Sequence, residues 1–230
     1  MGAVDADAVL LTCGNGRDSG IPGMRSVLLP PRPGRHELDP VLVTRPRRLV
    51  VAGTDADLAA VLLRLLRTDR LAVELAYLPT RRSSVAARVW GLPHGGPARD
   101  LAVQGRAAAV PLVRDDSGGV LVGCGELRSV RGEAYCDEVL TLRGSARRLV
   151  VTPWQPGGVA VRAGRWGGLP DGTRRPVPQA TRAGRGSSTG RAVQVGCLPA
   201  TLTVDGVPHP RPVTRWAWYR HTDDWRLVRP

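Results

Sequence analysis

The 230-residue sequence contains no lysine and no phenylalanine, a single asparagine (Asn15) and a single isoleucine (Ile21). The missing lysine excludes both a phosphate-loop lysine and a Schiff-base lysine. All of the formal +13 charge is therefore carried by arginine, whose planar fork suits phosphate. The same usage fits a coding bias toward GC-rich codons. No apolar run approaches the roughly 20 residues that span a bilayer as a helix. No C-x-x-C pair occurs: Cys13, Cys124, Cys136 and Cys197 are far apart, as are His36, His94, His209 and His221. No metal site is expected from that spacing, and a cytosolic chain of this length needs no disulfides. His221 stands near Asp223 and Asp224, but no G-x-S-x-G elbow supplies a nucleophile for them. The opening "MGAVDADAVLLTCGNG" has no basic leader and carries Asp5 and Asp7, so the expected location is cytoplasmic.

What is present is unevenly distributed. From Arg162 to Arg191 there are seven arginines and one acid, Asp171, among many Gly, Pro and Ser residues. That composition buries little and predicts a mobile basic loop over 164–190. Such a loop is either a solvated linker or a contact for an anionic surface, with Arg174, Arg175, Arg182 and Arg185 as the contacting residues.

Residues 1–40 read as an irregular segment packing on the first domain, with "AVLLTCGNG" as a strand running into a Gly turn, "RSVLLPPRPGR" as a second short extended piece, and no helical period between them. From 41 to 98 the pattern is α/β. "RRLVVAG" is a buried strand. Leu58, Val61, Leu62, Leu65 and Leu66 then recur at helical spacing, which makes one apolar face. Thr54 or Asp55 can cap that helix, and Asp57 suits its positive end. "LAVELAYLP" alternates as a strand. "SSVAARVWGLP" reads as a short helix capped by Ser83 or Ser84 and ended by Gly91 and Pro93. From 99 to 230 short strands follow one another between Gly, Pro and Asp-Gly turns, the pattern of a sandwich or barrel. Asp205-Gly206 is a tight-hairpin signal, and Trp216 and Trp218 share one face of a strand as packing residues.

This order resembles the diacylglycerol kinase catalytic-domain family, which includes bacterial lipid kinases and is related to NAD kinases. Three places carry the resemblance. Gly53-Thr54-Asp55-Ala56-Asp57-Leu58 falls in register with the family's G-G-D-G-T-L, agreeing at Gly53, Asp55 and Leu58. Pro79 to Pro93 fits P-L-G-T-G-N-D-F-A-R…L-G-I-P, agreeing at Pro79, Ala87, Arg88, Gly91 and Pro93. There Arg81, Arg82, Ser83, Ser84 and Val85 replace the polar centre. Asp205-Gly206-Val207 matches the family's D-G-E without its glutamate.

The resemblance implies an α+β protein: a reduced α/β nucleotide-type domain, then an antiparallel β-sandwich domain, with a cleft between them. It implies ATP-dependent phosphoryl transfer to a lipid hydroxyl, with ATP and Mg²⁺ as cofactors. Gly53, Thr54, Asp55, Arg81, Arg82, Ser83 and Ser84 would face the nucleotide, and Asp205 would be the catalytic base. The departures argue against unaltered catalysis. Thr54 and Ala56 cost about 1–2 kcal/mol each in a left-handed turn, so a changed turn is expected. Two carboxylates without lysine repel phosphate unless a metal intervenes, and Val207 neither takes a proton nor binds Mg²⁺. The alternative is therefore a non-catalytic pseudokinase that binds anionic lipid, the inner membrane face or a protein partner. A nucleic-acid-binding β protein rests on charge alone and is the least favoured reading. A homodimer stays open.

Overall fold

The structure, a computed structural model, describes residues 7–14, 20–164 and 187–230. It divides into two compact units: Met1–Val110 with Asp223–Pro230, and Pro111–Thr222. The chain passes from the first to the second within one strand and returns within another.

The first unit contains β1 (Ala8–Cys13), β2 (Arg25–Leu29), α1 (Arg35–Val43), β3 (Arg48–Gly53), α2 (Asp55–Arg67), β4 (Glu74–Pro79), α3 (Val85–Trp90) and α4 (Gly96–Gln104). Its strands pair in parallel: β1 with β2 and β3, and β3 with β4. Parallel strands are buried on both faces, which explains the unbroken apolar runs of β1 and β3. α2 buries Leu58, Val61, Leu62 and Leu65, as its spacing predicts.

Residues 1–40 are not an irregular appendage: they supply β1, β2 and the start of α1. α1 escapes a periodicity reading because Pro40 interrupts it. It is held instead by burial of Leu38, Val41 and Leu42 and by Arg64 of α2, whose Nε donates to Asp39 Oδ1 at 2.7 Å. α4 was also not expected. Its buried residues are only Ala98 and Ala102, too small to mark a face.

The second unit continues from β5 (Arg106–Asp115) through β6 (Val120–Leu121), β7 (Gly125–Cys136), β8 (Val139–Trp154), β9 (Gly158–Gly164), β10 (Ser187–Gly190), β11 (Ala192–Val204) and β12 (Val207–Pro208) into β13 (Val213–Arg229). The antiparallel order is β10-β9-β8-β7-β11-β13. Along this order each pair of neighbours is antiparallel, as expected, and among the described residues the ladder is continuous rather than two separately bonded sheets. Several segments read as separate strands are single long ones: β11 joins "AVQVGC" to "ATLTV" across a register shift between Gly196 and Ala200. Residues 187–190, expected in the basic loop, pair with β9. Leu127, Val130, Ala134, Leu149, Val151, Val193, Val195 and Leu202 form the core of this unit with Trp216 and Trp218, which pack as the sequence suggests.

The last residues of β13 belong to the first unit. Arg226 and Leu227 pair in parallel with Glu74 and Leu75. Trp225 is 2 % exposed and meets Trp90 edge-on at 5.7 Å between ring centroids.

Candidate active site: the β3–α2 turn and the start of α3

β3 ends at Gly53 and α2 begins immediately, with Thr54 at the N-cap in extended geometry (φ −91°, ψ 171°). Neither Thr54 nor Ala56 has a positive φ, so neither residue carries the strain of a left-handed turn. Asp57, 2 % exposed, closes the turn from inside. Its Oδ2 accepts from the Thr54 N–H at 2.7 Å and the Thr54 hydroxyl at 2.8 Å, and its Oδ1 accepts from the Arg32 N–H at 2.6 Å. A helix N-terminus attracts an anion; here the anion is the chain's own. Gly53 serves the same carboxylate. A Cβ there would lie 2.7 Å from Asp57 Oδ2 and 2.9 Å from Asp57 Cβ.

Asp55 reaches the other way. Its Oδ1 accepts from the Tyr77 hydroxyl at 2.8 Å and the Ser84 hydroxyl at 2.5 Å. Its Oδ2 accepts from the Val85 N–H at 2.8 Å and the Ala86 N–H at 3.1 Å. Ser84 Oγ in turn accepts the Ala87 N–H at 2.9 Å as the N-cap of α3. Gly91 ends α3 in the left-handed conformation. The two sequence segments flagged for the nucleotide are thus joined by one carboxylate. Tyr77 is held as a neutral donor: burial first, then the charge of Asp55, push its hydroxyl far above its ordinary pKa. Burial, and then Asp57, likewise push the neighbouring Cys13 thiol up to about 12, so it is not a nucleophile at neutral pH.

Of the remaining expected residues, Arg81, Arg82 and Ser83 are exposed, while Ser84 is buried. Arg174, Arg175, Arg182 and Arg185 lie outside the described residues. Asp205 belongs to the second unit. With Gly206 it forms a hairpin turn with both residues at positive φ (48° and 83°), as the Asp-Gly signal predicts. Its carboxylate accepts three backbone N–H groups: Val122 at 2.9 Å, Gly123 at 2.7 Å and Cys124 at 2.9 Å. At 6 % exposed, it anchors the 122–124 segment.

Sequence reasoning missed Tyr77, Thr80 and Arg32. Thr80 donates through both its N–H and its hydroxyl to the Gly53 carbonyl at 3.0 Å. The one available signal was Tyr77, a polar tip in an otherwise apolar buried strand.

The donor set does not fit Mg²⁺. Among the described residues no three His, Cys, Asp or Glu side chains converge, and the oxygens of Asp55, Asp57 and Asp205 already accept N–H or O–H donors. Nor do the amides fit nucleotide phosphates in this arrangement. Those of Thr54, Val85 and Ala86, which a phosphate would approach, donate to the chain's own carboxylates.

The first unit is thus a parallel sheet with a helix-capped turn after β3, and the second an antiparallel β unit carrying an Asp-Gly hairpin: the fold of the diacylglycerol kinase and NAD kinase structures. A diacylglycerol kinase from Bacillus anthracis str. Sterne superimposes with a TM-score of 0.68 at 11% identity, covering 97% of each chain. An NAD kinase from Archaeoglobus fulgidus, solved in complex with ATP, gives a TM-score of 0.54 at 11% identity over 96% of this chain and 93% of that one. Yeast NADH kinase complexed with NADH gives 0.52 at 10% identity over 97% and 83%. No family model matches the sequence, and no curated protein matches it.

Proposed function

We propose that this chain is a kinase-like protein of the diacylglycerol kinase type that has kept the scaffold and lost phosphoryl transfer. The observation that carries the reading is the engagement of Asp55. Its two oxygens take two hydroxyls and two backbone amides, so they tie β3–α2 to α3 and leave no lone pair directed at a metal or a nucleotide. Asp57 accepts three donors inside the turn, and Asp205 accepts three backbone amides at its hairpin, so each serves first as a local anchor. A general base must reach the proton it abstracts with an available lone pair. Val207 adds no acid at the position where the family resemblance implies one.

A second reading is ATP-dependent transfer to a lipid-type hydroxyl. The shared architecture with a kinase solved bound to ATP favours it. On that reading Arg81 and Arg82, exposed beside the start of α3, grip the phosphates by forked hydrogen bonds.

Calorimetric titration of ATP, with and without Mg²⁺, separates the two. The first reading expects no saturable heat and no ADP release with diacylglycerol in mixed micelles. Micromolar binding that disappears in Arg81→Ala/Arg82→Ala, together with turnover, overturns it in favour of the second.

A further inference from the structure

The second unit carries a charged surface unrelated to the Asp55 corner. Leu127, Val130 and Ala134 of β7 point into the core, so the alternate residues Glu126, Arg128, Arg131, Glu133 and Tyr135 stand on the opposite face. The register extends that face across the neighbouring strands. Arg148 of β8 lies directly opposite Arg128, and Arg143 opposite Glu133. Arg162 of β9 lies opposite Val150, itself opposite Glu126. Arg215 of β13 lies opposite Gly196, itself opposite Glu133. Six arginines, all exposed, therefore share one sheet face with two acids.

The acids do not neutralise it. Glu126 pairs with both Arg128 and Arg148. Glu133 pairs with Arg143 at 2.9 Å. The Tyr135 hydroxyl, donating at 2.8 Å, and then Arg143 hold the Glu133 carboxyl below the usual range. Arg131, Arg162 and Arg215 have no ion pair among the described residues. Like charges directly opposite across two strands destabilise a sheet, yet Arg128 and Arg148 are so placed. Glu126, paired with both, offsets that one pair and leaves the other four arginines with the single acid Glu133.

Aliphatic side chains accompany the charge. Leu140 lies opposite Tyr135, on the same face, and is 40% exposed. Leu198, in the register shift of β11, is 62% exposed. Exposed leucines among arginines suit a bilayer interface, where the guanidinium groups meet lipid phosphates and the aliphatic groups enter the acyl boundary. A nucleic acid draws nothing from them.

We propose that the outer face of the β9-β8-β7-β11-β13 sheet, through Arg128, Arg131, Arg143, Arg148, Arg162 and Arg215, docks this protein on an anionic phospholipid bilayer. The proposal is independent of nucleotide binding: every residue it uses lies in the second unit.

The test is flotation of the full chain with vesicles of phosphatidylcholine alone or mixed with phosphatidylglycerol, at low and high salt. The wild type is expected to float with the mixed vesicles only, and to be released by salt. Arg131→Ala/Arg162→Ala/Arg215→Ala removes only unpaired arginines and leaves both glutamate clusters intact. It is expected to lower the vesicle partition at least about tenfold, at roughly 1 kcal/mol per arginine near the surface, with an unchanged far-UV spectrum. Neutralising Arg174, Arg175, Arg182 and Arg185 in a second variant locates the binding. Loss in that variant alone overturns the proposal. So does wild-type failure to float, or retention of the wild type on DNA with no affinity for vesicles.

Discussion

Arg48 in the first unit is 5 % exposed, with its guanidinium enclosed: Nε and Nη2 meet Glu74 Oε2 at 2.8 and 2.7 Å, and the remaining donors reach the carbonyls of Ala102, Val103 and Gly105. In the second unit Arg128 and Arg148 face each other across two strands, 62% and 52% exposed, sharing a single glutamate. One unit uses arginine as an internal clasp that fixes the end of α4 to β3 and β4. The other displays arginine in excess of its local acids. A buried ion pair is costly to break because it strands its partner, whereas an exposed pair contributes little. The same residue type therefore carries stability in one unit and surface character in the other.

Replacing Arg48 with Met is the strongest way to break this contrast. It leaves three carbonyls without their donor and Glu74 with only the 3.7 Å ion pair to the exposed Arg47, and should lower the unfolding free energy by about 3–5 kcal/mol. Arg128→Ala should leave the urea midpoint within error of wild type. Equal losses in both would mean that the exposed face is structural as well.

A smaller effect tests whether the β3–α2 turn is built around its own carboxylate. Gly53→Ala forces a Cβ to within 2.7 Å of Asp57 Oδ2, and overpacking of this kind costs about 1–3 kcal/mol. Asp57→Ala removes the oxygen but keeps a Cβ 2.9 Å away. The double variant should thus lose less than the sum of the singles in a denaturation cycle. Strict additivity would mean that the two residues do not share the space.

The smallest effect is alkaline. The Cys13 thiol is raised by burial from 9.0 to about 12, and the Cys136 thiol to about 11. Between those values and 9.0 the folded chain holds protons that the unfolded chain has released, so stability falls as pH rises through that interval. The slope of the urea midpoint between pH 9 and 10.5 should flatten in Cys13→Ala/Cys136→Ala.

The parts of the fold that rest on local pattern were legible in the sequence. The α2 face, the Ser84 and Gly91 caps of α3 and the Asp205-Gly206 turn follow from spacing and turn chemistry. What failed was contextual. Pro40 hides a helix held by tertiary contacts, and the small alanines of α4 carry no apolar signal. β7 is interrupted at Ser129, which takes a positive φ inside the strand, and Asp137 takes one in the turn that leads into β8.

The candidate site shows the same limit. Its residue types were readable, but the use of the acids was not. Asp55 and Asp205 find their partners 22–31 and 81–83 positions away. Asp137 likewise accepts the Arg191 and Ala192 amides across 54 and 55 positions. With one asparagine in the whole chain, aspartate is left to do the loop-anchoring that asparagine shares elsewhere.

The return of residues 223–230 to the first unit has a consequence for the order of events during synthesis. Trp90 emerges from the ribosome well before Trp225, its edge-on neighbour, and β4 emerges before the strand that flanks it. The earlier-made portion must wait, incompletely closed, while the whole intervening unit is translated. A chain truncated after residue 222 keeps the whole second unit but leaves the first without the strand that flanks β4 and without Trp225.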